Sequence, residues 1–269
     1  ASNTEAYYSY DIGNTHFISL DSYDSPRSPA GAMATWLMND LIHAQVRSEW
    51  IIAYWHHTPY SKGSNNSDDP ADSDGILFDM REDILPILEA HGVDLLFYGH
   101  THTYERSYLI NGHPGVSSTF NAGNMGINMT SGRANGTGAY QKPGDLAPNS
   151  GAVHVNCGVS GKKEAGGPLN HPVMYYSTGS HLGSVVVDVN GTSLNARFIN
   201  DAGVVIDHFD IVKAPSKVRL DLKVMLQGPF DAASGLMRDD LRVAGLLPLP
   251  QPYSPIYPHV GEGGTETIQ

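Results

Sequence analysis

The chain of 269 residues has a single cysteine, Cys157, which excludes an internal disulfide. It also has no apolar run of membrane-spanning length, so we expect no membrane span. Basic residues are scarce: 16 lysines and arginines stand against 28 acidic residues, and the formal net charge is -12. Such a charge disfavours a nucleic-acid surface or an anionic membrane as partner. It does not exclude a phosphate substrate, because bound cations can invert the local field.

The composition is that of a globular protein, with 40% hydrophobic and 16% charged residues. The length suits one large domain, or a domain with an appendage. After residues 213–216 the character of the sequence changes, and residues 248–258 contain five prolines. We therefore predict a larger domain over residues 1–212 and a C-terminal β extension, or the start of a further module, over 213–269. Within the extension we expect a strand at 218–224 and a short helix or loop at 236–247.

Hydrophobic periodicity predicts a strand, helix, strand order in the first half of the chain. Aromatic and β-branched residues around a Gly-Asn turn predict a hairpin over 6–21, and apolar spacing predicts a helix over 30–44. Residues 50–55 and 93–98 are short continuous apolar runs, typical of strands buried on both faces. The segment between them, 75–91, has helical spacing and is divided by Pro86. This βαβ order implies two parallel strands.

The second half of the chain has the pattern of an antiparallel meander. We predict a strand at 152–158 and three further strands at 184–190, 193–199 and 204–212, because Asn-Gly and Asp-Ala-Gly turns separate them. Residues 111–149 are rich in glycine and asparagine and lack periodicity, so we predict a long surface loop there.

Four histidines follow the two predicted parallel strands. His56 and His57 come directly after the first strand, and His100 and His102 come after the second. Ligand sites of open α/β sheets lie beyond the carboxyl ends of parallel strands, so we expect these imidazoles at one edge of the sheet. Neutral imidazole binds zinc, iron and manganese. A lone His-x-His pair is a weak signal, but the His-x-Pro sequence starting at His57 strengthens it.

The segments Tyr-Trp-His-His-Thr-Pro-Tyr at 54–60 and Gly-His-Thr-His-Thr-Tyr-Glu-Arg-Ser at 99–107 resemble the last two metal motifs of the calcineurin-like metallophosphoesterases. They are most similar to those of the purple acid phosphatase-like branch, and the resemblance covers roughly residues 5–212. It implies an α/β (α+β) fold, a four-layer sandwich of two β-sheets flanked by helices. In this chain the N-terminal part of that fold is expected to be missing, and a small β segment to be added at the C-terminus.

The resemblance also implies a set of metal ligands. His57 and His100 would bind one metal, His102 would bind the other, and the intact enzyme would hold two divalent or trivalent ions, namely Fe, Zn or Mn. His56 would then neighbour the site and contact substrate, or hydrogen-bond to the backbone as a structural residue. No catalytic acid or base is assigned.

The metal motifs that come earlier in sequences of this family do not occur at suitable positions in this chain. In the family, the Asp-x-His, Gly-Asp and Gly-Asn-His motifs supply metal ligands that include the bridging aspartate. The Gly-Asn-Thr-His sequence at 13–16 is similar to the last of these motifs, but it has one residue too many and lies inside the hairpin. We therefore expect this chain to be the C-terminal portion of a longer enzyme. Without a bridging carboxylate, repulsion between two cations is poorly offset, so the chain alone should bind metal weakly and catalyse little.

Other polar residues near the motifs have two interpretations each. Glu105 and Arg106 are expected to anchor the ligand loop, although arginine could also bind phosphate. Tyr60 is a candidate for substrate contact, and packing is an equal alternative for it and for Tyr104. The aspartates at 68, 69, 72 and 74 are expected to form a solvated rim rather than a calcium site. Structural roles are favoured for His154, His171 and His181.

We therefore expect a metal-dependent phosphoric ester hydrolase, most simply a purple acid phosphatase-like phosphomonoesterase acting on a phosphate ester. A phosphodiesterase or nucleotidase of the same fold is the first alternative. The second is a non-catalytic module with a structural or vestigial metal site. We also expect a secreted or extracytoplasmic protein. The sequence leaves the natural substrate and the oligomeric state open.

Overall fold

A computed structural model describes residues 2–164 and 166–215, and the backbone of three short strands after residue 223. The chain divides into two compact units, Ala1–Lys217 and Val218–Gln269. In the second unit, Val224–Gln227, Gly264–Ile268 and His259–Val260 form an antiparallel three-stranded sheet in that order. The strand and helix predicted at 218–224 and 236–247 lie outside the described residues, apart from Val224. The domain boundary at residue 213 stays a prediction.

The described part of the first unit contains twelve strands. They are β1 Tyr8–Ile12, β2 Thr15–Ser19, β3 Trp50–Tyr54, β4 Leu95–Tyr98, β5 Tyr104–Ile110, β6 Gly126–Asn128, β7 Tyr140–Lys142, β8 Ala152–Cys157, β9 Met174–Thr178, β10 Gly183–Asn190, β11 Ser193–Asn200 and β12 Val205–Lys213. The α-helices are α1 Ala32–Arg47, α2 Ile76–Asp79, α3 Leu85–Ala90 and α4 Ala122–Met125. Two 3₁₀ turns, Asp72–Gly75 and Ser117–Thr119, and one π-helical turn, Met80–Ile84, complete the set.

Two sheets form the first unit, as the sequence predicts. The larger has the order β1-β2-β3-β4-β8-β5-β6, with β9 also paired to β5, and the smaller has the order β10-β11-β12-β7. The hairpin β1–β2 is antiparallel, whereas β2, β3, β4 and β8 run parallel to one another. The predicted βαβ unit is confirmed, because β3 and β4 are parallel neighbours. The meander β10–β11–β12 is confirmed as well.

The central strands β3 and β4 of the larger sheet are buried on both faces, which explains their continuous apolar sequences. Alternate residues of a strand point to opposite faces. Trp50 and Ile52 accordingly belong to one buried cluster with Phe198 and Phe209 of the smaller sheet. Ile51 and Ala53 belong to the other cluster, together with residues of α1 and α3, among them Leu37, Leu41 and Leu88.

The predicted division of the 75–91 helix is confirmed. Helix α2 passes through a π-helical turn at Met80–Ile84 into α3, and Pro86 stands in the first turn of α3. Because proline has no backbone N–H to donate to the preceding turn, the regular α-helical hydrogen bonding is interrupted next to it. The π-turn carries Arg81, whose side chain is fully buried.

The long surface loop predicted over 111–149 is wrong in part. The segment contains α4, β6 and β7, and β7 joins the smaller sheet in parallel with β12. Strands of three residues are too short to show periodicity in the sequence. Strands β5 and β9 also escaped prediction; β5 follows the His-x-His motif directly and carries Glu105 and Arg106 within the larger sheet.

Three histidines are buried around the ring of Tyr60. His113, His154 and His171 are each at most 2% exposed, and their ring centroids lie 5.0–5.5 Å from that of Tyr60. The structural role favoured for His154 and His171 agrees with these contacts. Burial lowers the pKa of His154 and of His171 to about 3. Both rings are therefore neutral in the folded chain at neutral pH.

Acid should destabilise the fold through these two histidines. A histidine in the unfolded chain has a pKa of about 6.5. Between about pH 6.5 and pH 3 the unfolded chain therefore binds protons at these two residues, and the folded chain does not. As the pH falls through this range, each of the two histidines lowers the free energy of unfolding by about 1.4 kcal/mol per pH unit. His171→Phe should lessen the loss between about pH 7 and pH 5 by about 2 kcal/mol, measured by urea unfolding. The exposed His43→Phe is the control; equal pH dependence in both variants would contradict the assignment.

Candidate metal centre

The carboxyl ends of β3 and β4 bring the histidine motifs together. Tyr54 at the end of β3 pairs with Phe97 of β4. The pairing continues past the strands, since the backbone N–H of Gly99 donates to the carbonyl of His56 at 2.9 Å. The two motifs therefore begin side by side, at the edge where open α/β sheets hold ligands.

Three of the four histidines form one cluster. His56, His57 and His100 each offer one nitrogen that lies within 4.8 Å of the other two. One pair of these nitrogens, His100 Nδ1 and His56 Nε2, lies 3.2 Å apart. Two nitrogens at about 2.0–2.1 Å from a tetrahedral zinc ion stand about 3.3–3.4 Å from each other. The distance between His100 Nδ1 and His56 Nε2 is close to this value, and the third imidazole lies near both, so the cluster is a candidate site for an ion of the kind that imidazole prefers.

The cluster is electrostatically prepared for a cation. Burial, helped by the neighbouring His100 and His56, lowers the pKa of His57 to about 3. Burial also lowers the pKa of His56 and of His100. For His100, the neighbouring His56 ring lowers the pKa further. Unprotonated imidazole is the form that binds metal, so the shifts keep the ligands ready at neutral pH.

Hydroxyl groups orient two of the rings. Ser22 Oγ lies 2.8 Å from His57 Nδ1, and Ser73 Oγ lies 2.7 Å from His100 Nε2. Ser73 in turn donates to Asp72 at 2.8 Å. Partners of this kind fix the tautomer and orientation of a ligating histidine. Sequence analysis does not identify Ser22, because a serine three residues after a strand has no distinguishing neighbours.

The backbone at His100 is held in an unusual conformation. Its φ is 64°, a left-handed value that costs free energy in a residue other than glycine. Neighbouring contacts maintain it: Asn156 Nδ2 donates to the carbonyls of Thr101 and Thr103 at 2.9 and 2.8 Å. A Cβ atom at Gly158 would lie 2.1 Å from the carbonyl oxygen of Thr101, so this close approach requires glycine.

His102 lies outside the three-histidine cluster. Its Nδ1 is 3.0 Å from Glu164 Oε2, and Lys162 contacts the same carboxylate. These contacts lower the pKa of Glu164 to about 2, with Lys162 as the larger cause and His102 as the next. The assignment of His102 as a ligand stays a prediction.

The anchoring role expected for Glu105 and Arg106 agrees with their contacts. Glu105 is fully buried and accepts hydrogen bonds from Ser61 Oγ and Thr103 Oγ1, so it ties the loop after His57 to the His-x-His loop. Arg106 is fully buried and makes a bidentate contact with Asp207. Neither side chain is available to a substrate.

Tyr60 and the aspartate-rich loop also take structural positions. The Tyr60 ring is fully buried and its hydroxyl donates to the carbonyl of His113 at 2.6 Å, so the contacts favour packing over substrate contact. Asp68 pairs with Lys62 and accepts from Ser117, and Asp72 caps the backbone N–H of Asn66. These bonds order the loop, as expected for a rim.

The Gly-Asn-Thr-His sequence at 13–16 lies away from the cluster. Gly13 occupies the β1–β2 turn with φ of 60°, and the ring of His16 is held between Asp11 and Asp40 at 2.6 and 2.9 Å. Both nitrogens of His16 are therefore engaged locally, in agreement with its interpretation as a mimic of the family motif.

Comparison with known proteins finds similarity to one family over part of the chain. Residues 4–104 match the model of the calcineurin-like phosphoesterases. Purple acid phosphatase 18 of Arabidopsis thaliana is 32% identical over 111 residues, which are 41% of this chain and 24% of that protein. The phosphoenolpyruvate phosphatase of Allium cepa is 30% identical over 165 residues, 61% of this chain and 28% of that protein. The chain thus spans about a quarter of the length of these relatives.

A solved structure shows the same fold. Purple acid phosphatase PPD1 from yellow lupin (Lupinus luteus) seeds superposes with a TM-score of 0.59 at 19% identity, over 77% of this chain and 32% of that one. Within the described residues, no helix has both the length and the apolar character needed to cross a membrane.

Proposed function

We propose that this chain is part of a metal-dependent phosphoric ester hydrolase, and more narrowly of a phosphomonoesterase. The proposal is supported by its resemblance to the purple acid phosphatase-like branch of the calcineurin-like metallophosphoesterases. The observation that carries the proposal is the cluster of His56, His57 and His100, three neutral imidazoles at the ligand-binding edge of the sheet. A secreted or extracytoplasmic location remains part of the proposal.

The chain's own residues would hold and position one ion. When bound, such an ion polarises a phosphoryl oxygen and lowers the pKa of a water molecule. His57 is 2% exposed and would act as the buried ligand together with His100, whereas the exposed His56 would either complete the donor set or contact a substrate. Tyr23 contacts both rings: it stacks on His56 at a centroid distance of 5.4 Å and meets His57 edge-on at 4.5 Å.

The donor set does not complete a centre for two metals. Among the described residues, the cluster that fits one ion contains no carboxylate, and Asp72 reaches it through Ser73. A bridging anion is what offsets repulsion between two cations at about 3.5–4 Å. We therefore expect this chain alone to bind one ion loosely and to turn over little substrate.

The three-histidine cluster is also compatible with two alternative functions. A phosphodiesterase or nucleotidase of the same fold would use the same histidines. A non-catalytic module would use the three histidines as a structural or vestigial zinc site, for which a carboxylate is not needed.

Hydrolysis of p-nitrophenyl phosphate and of bis(p-nitrophenyl) phosphate separates these functions. We expect the product of the complete gene, loaded with Zn(II), Mn(II) or iron, to hydrolyse the monoester faster than the diester. We expect His57→Ala to abolish the turnover and this chain alone to show little. Faster cleavage of the diester would favour the phosphodiesterase. Metal binding without turnover in the complete protein would favour the non-catalytic module.

A further inference from the structure

The turn between the aspartate-rich loop and α2 has an unusual backbone. Ser73 and Asp74 have φ of 54° and 55°, and Gly75 continues the turn with φ of 80°. Glycine adopts this left-handed conformation freely, whereas it costs free energy at serine and at aspartate. Such strain persists where surrounding contacts maintain it, and it is concentrated at functional sites. The contacts of this turn therefore indicate what it holds in place.

Ser73 connects this turn to the three-histidine cluster. Its Oγ lies 2.7 Å from His100 Nε2 and 2.8 Å from Asp72 Oδ1. Asp72 is itself held by two donors, Nδ2 of Asn65 at 2.9 Å and the backbone N–H of Asn66 at 2.6 Å. The hydrogen-bonded series from Asp72 through Ser73 to His100 is thus anchored in the loop at one end and reaches a cluster histidine at the other.

The donors and acceptors of this series determine which nitrogen of His100 carries the proton. An aspartate is ionised at neutral pH, and a carboxylate can only accept hydrogen bonds. The single hydroxyl proton of Ser73 is therefore donated to Asp72, and the Ser73 oxygen accepts from His100. A neutral imidazole has one N–H. In His100 this N–H is consequently at Nε2, and the lone pair is at Nδ1.

The contact between His100 and His56 agrees with this assignment. His100 Nδ1 lies 3.2 Å from His56 Nε2, and a hydrogen bond between two imidazole nitrogens needs one donor and one acceptor. With the proton of His100 on Nε2, the donor is the N–H at His56 Nε2 and the acceptor is His100 Nδ1. The lone pair of His100 therefore faces a neighbouring ring of the cluster.

We propose that Asp72 is a positioning residue of the metal centre, which acts through Ser73 to hold the proton of His100 on Nε2 and keep the Nδ1 lone pair open to an ion. The use of this lone pair rests on the proposed metal-dependent function, whereas the position of the proton does not. A carboxylate that acts on a ligating histidine fixes its tautomer and raises its basicity. The strained turn places the Ser73 hydroxyl between the two groups that it joins.

Long-range 1H–15N correlation spectra of the 15N-labelled, metal-free chain at neutral pH read the tautomer of His100. The spectrum of His100→Gln identifies its signals, and we expect the proton on Nε2 in the wild type. Asp72→Asn removes the charge of the acceptor with little change of shape. The Ser73 hydroxyl then becomes free to donate to His100 Nε2, so the form with the proton on Nδ1 should gain population.

Asp69→Asn is the matched control for the spectra. Asp69 belongs to the same loop, and its carboxylate accepts from the backbone N–H of Ala71 at 2.9 Å. We expect this variant to keep the tautomer of the wild type. Circular dichroism checks that each variant is folded, and the spectrum of the wild type tests the position of the proton even if Asp72→Asn does not fold.

Zinc affinity, measured by competition with a chelator, shows whether Asp72 acts through Ser73. We expect Asp72→Asn to weaken Zn(II) binding about tenfold, as the loss of a residue that orients a ligand typically does. The double variant Asp72→Asn with Ser73→Ala should bind zinc as Ser73→Ala alone does, because the carboxylate acts on His100 through the hydroxyl. An independent role of Asp72 in the loop would instead give losses that add up.

Three results would overturn the proposal. They are a proton on Nδ1 of His100 in the metal-free wild type, a tautomer that Asp72→Asn leaves unchanged, and additive losses of zinc affinity in the double variant. A wild type with the expected tautomer that binds no zinc would refute the proposed function and leave the position of the proton confirmed. The two failures are therefore distinguishable.

Discussion

His57→Ala and His100→Ala are expected to lower the affinity of the chain for Zn(II) by at least about 100-fold. The loss of a residue that only orients a ligand typically costs 10–100-fold in metal affinity, and loss of the ligand itself costs more. Both side chains belong to the cluster whose nitrogens lie within 4.8 Å of one another. His57 is also buried, so no solvent-exposed side chain can easily replace it.

Competition with a chromogenic zinc chelator gives the affinities. Ser73→Ala should weaken binding less, about tenfold, because Ser73 only orients the ring of His100. His43→Ala is the matched control, since His43 is exposed on α1 and away from the cluster. Unchanged zinc affinity in both His57→Ala and His100→Ala would refute the metal centre.

His102→Ala distinguishes two arrangements. If His102 joins the ion on loading, its removal should weaken zinc binding as strongly as His57→Ala does. If it keeps its contact with Glu164, as the structure shows, zinc affinity at the three-histidine cluster should change by less than about threefold. Glu164→Gln should then reproduce the result of His102→Ala.

The convergence of the histidines could be predicted because it depends on chain order alone. Two short apolar runs joined by a helical segment imply parallel strands, and β3 and β4 are indeed parallel. The motifs follow the strands within four residues, so the sheet fixes where they begin. The side-chain directions could not be predicted in the same way. The left-handed backbone of His100 and the contact of His102 with Glu164, 62 residues away, depend on tertiary structure.

Some of the elements that escaped prediction are short and pair with distant parts of the chain. Strand β7 has three residues, and its partner β12 lies more than sixty residues further along the chain. Its local sequence, Tyr140–Lys142, has no period that could identify a strand. The buried polar residues are similar: Asp94 contacts both Lys142 and Lys213, which no local pattern relates to one another.

A second large effect is expected at Asp207, which connects the two sheets. This residue of β12 is fully buried, and its carboxylate accepts from Arg106 of β5 at 2.6 and 3.0 Å, from Arg133 at 2.7 Å and from the Tyr104 hydroxyl at 2.9 Å. Burial disfavours the charged carboxylate, yet the hydrogen bonds and charge of Arg106 and Arg133 hold the pKa of Asp207 below its ordinary value.

Asp207→Asn should lower the free energy of unfolding by about 3–5 kcal/mol, because it leaves the guanidinium of Arg106 buried without a counter-charge. The control is Asp188→Asn, whose ion pair with Arg197 is largely exposed and should contribute less than about 1 kcal/mol. Urea unfolding of both variants measures the difference, and equal losses would show that the buried pair contributes no more than the exposed one. Arg106 follows His102 by four residues, on the strand that leaves the His-x-His loop. If the contact between the two sheets holds this loop in place, Asp207→Asn should also weaken zinc binding.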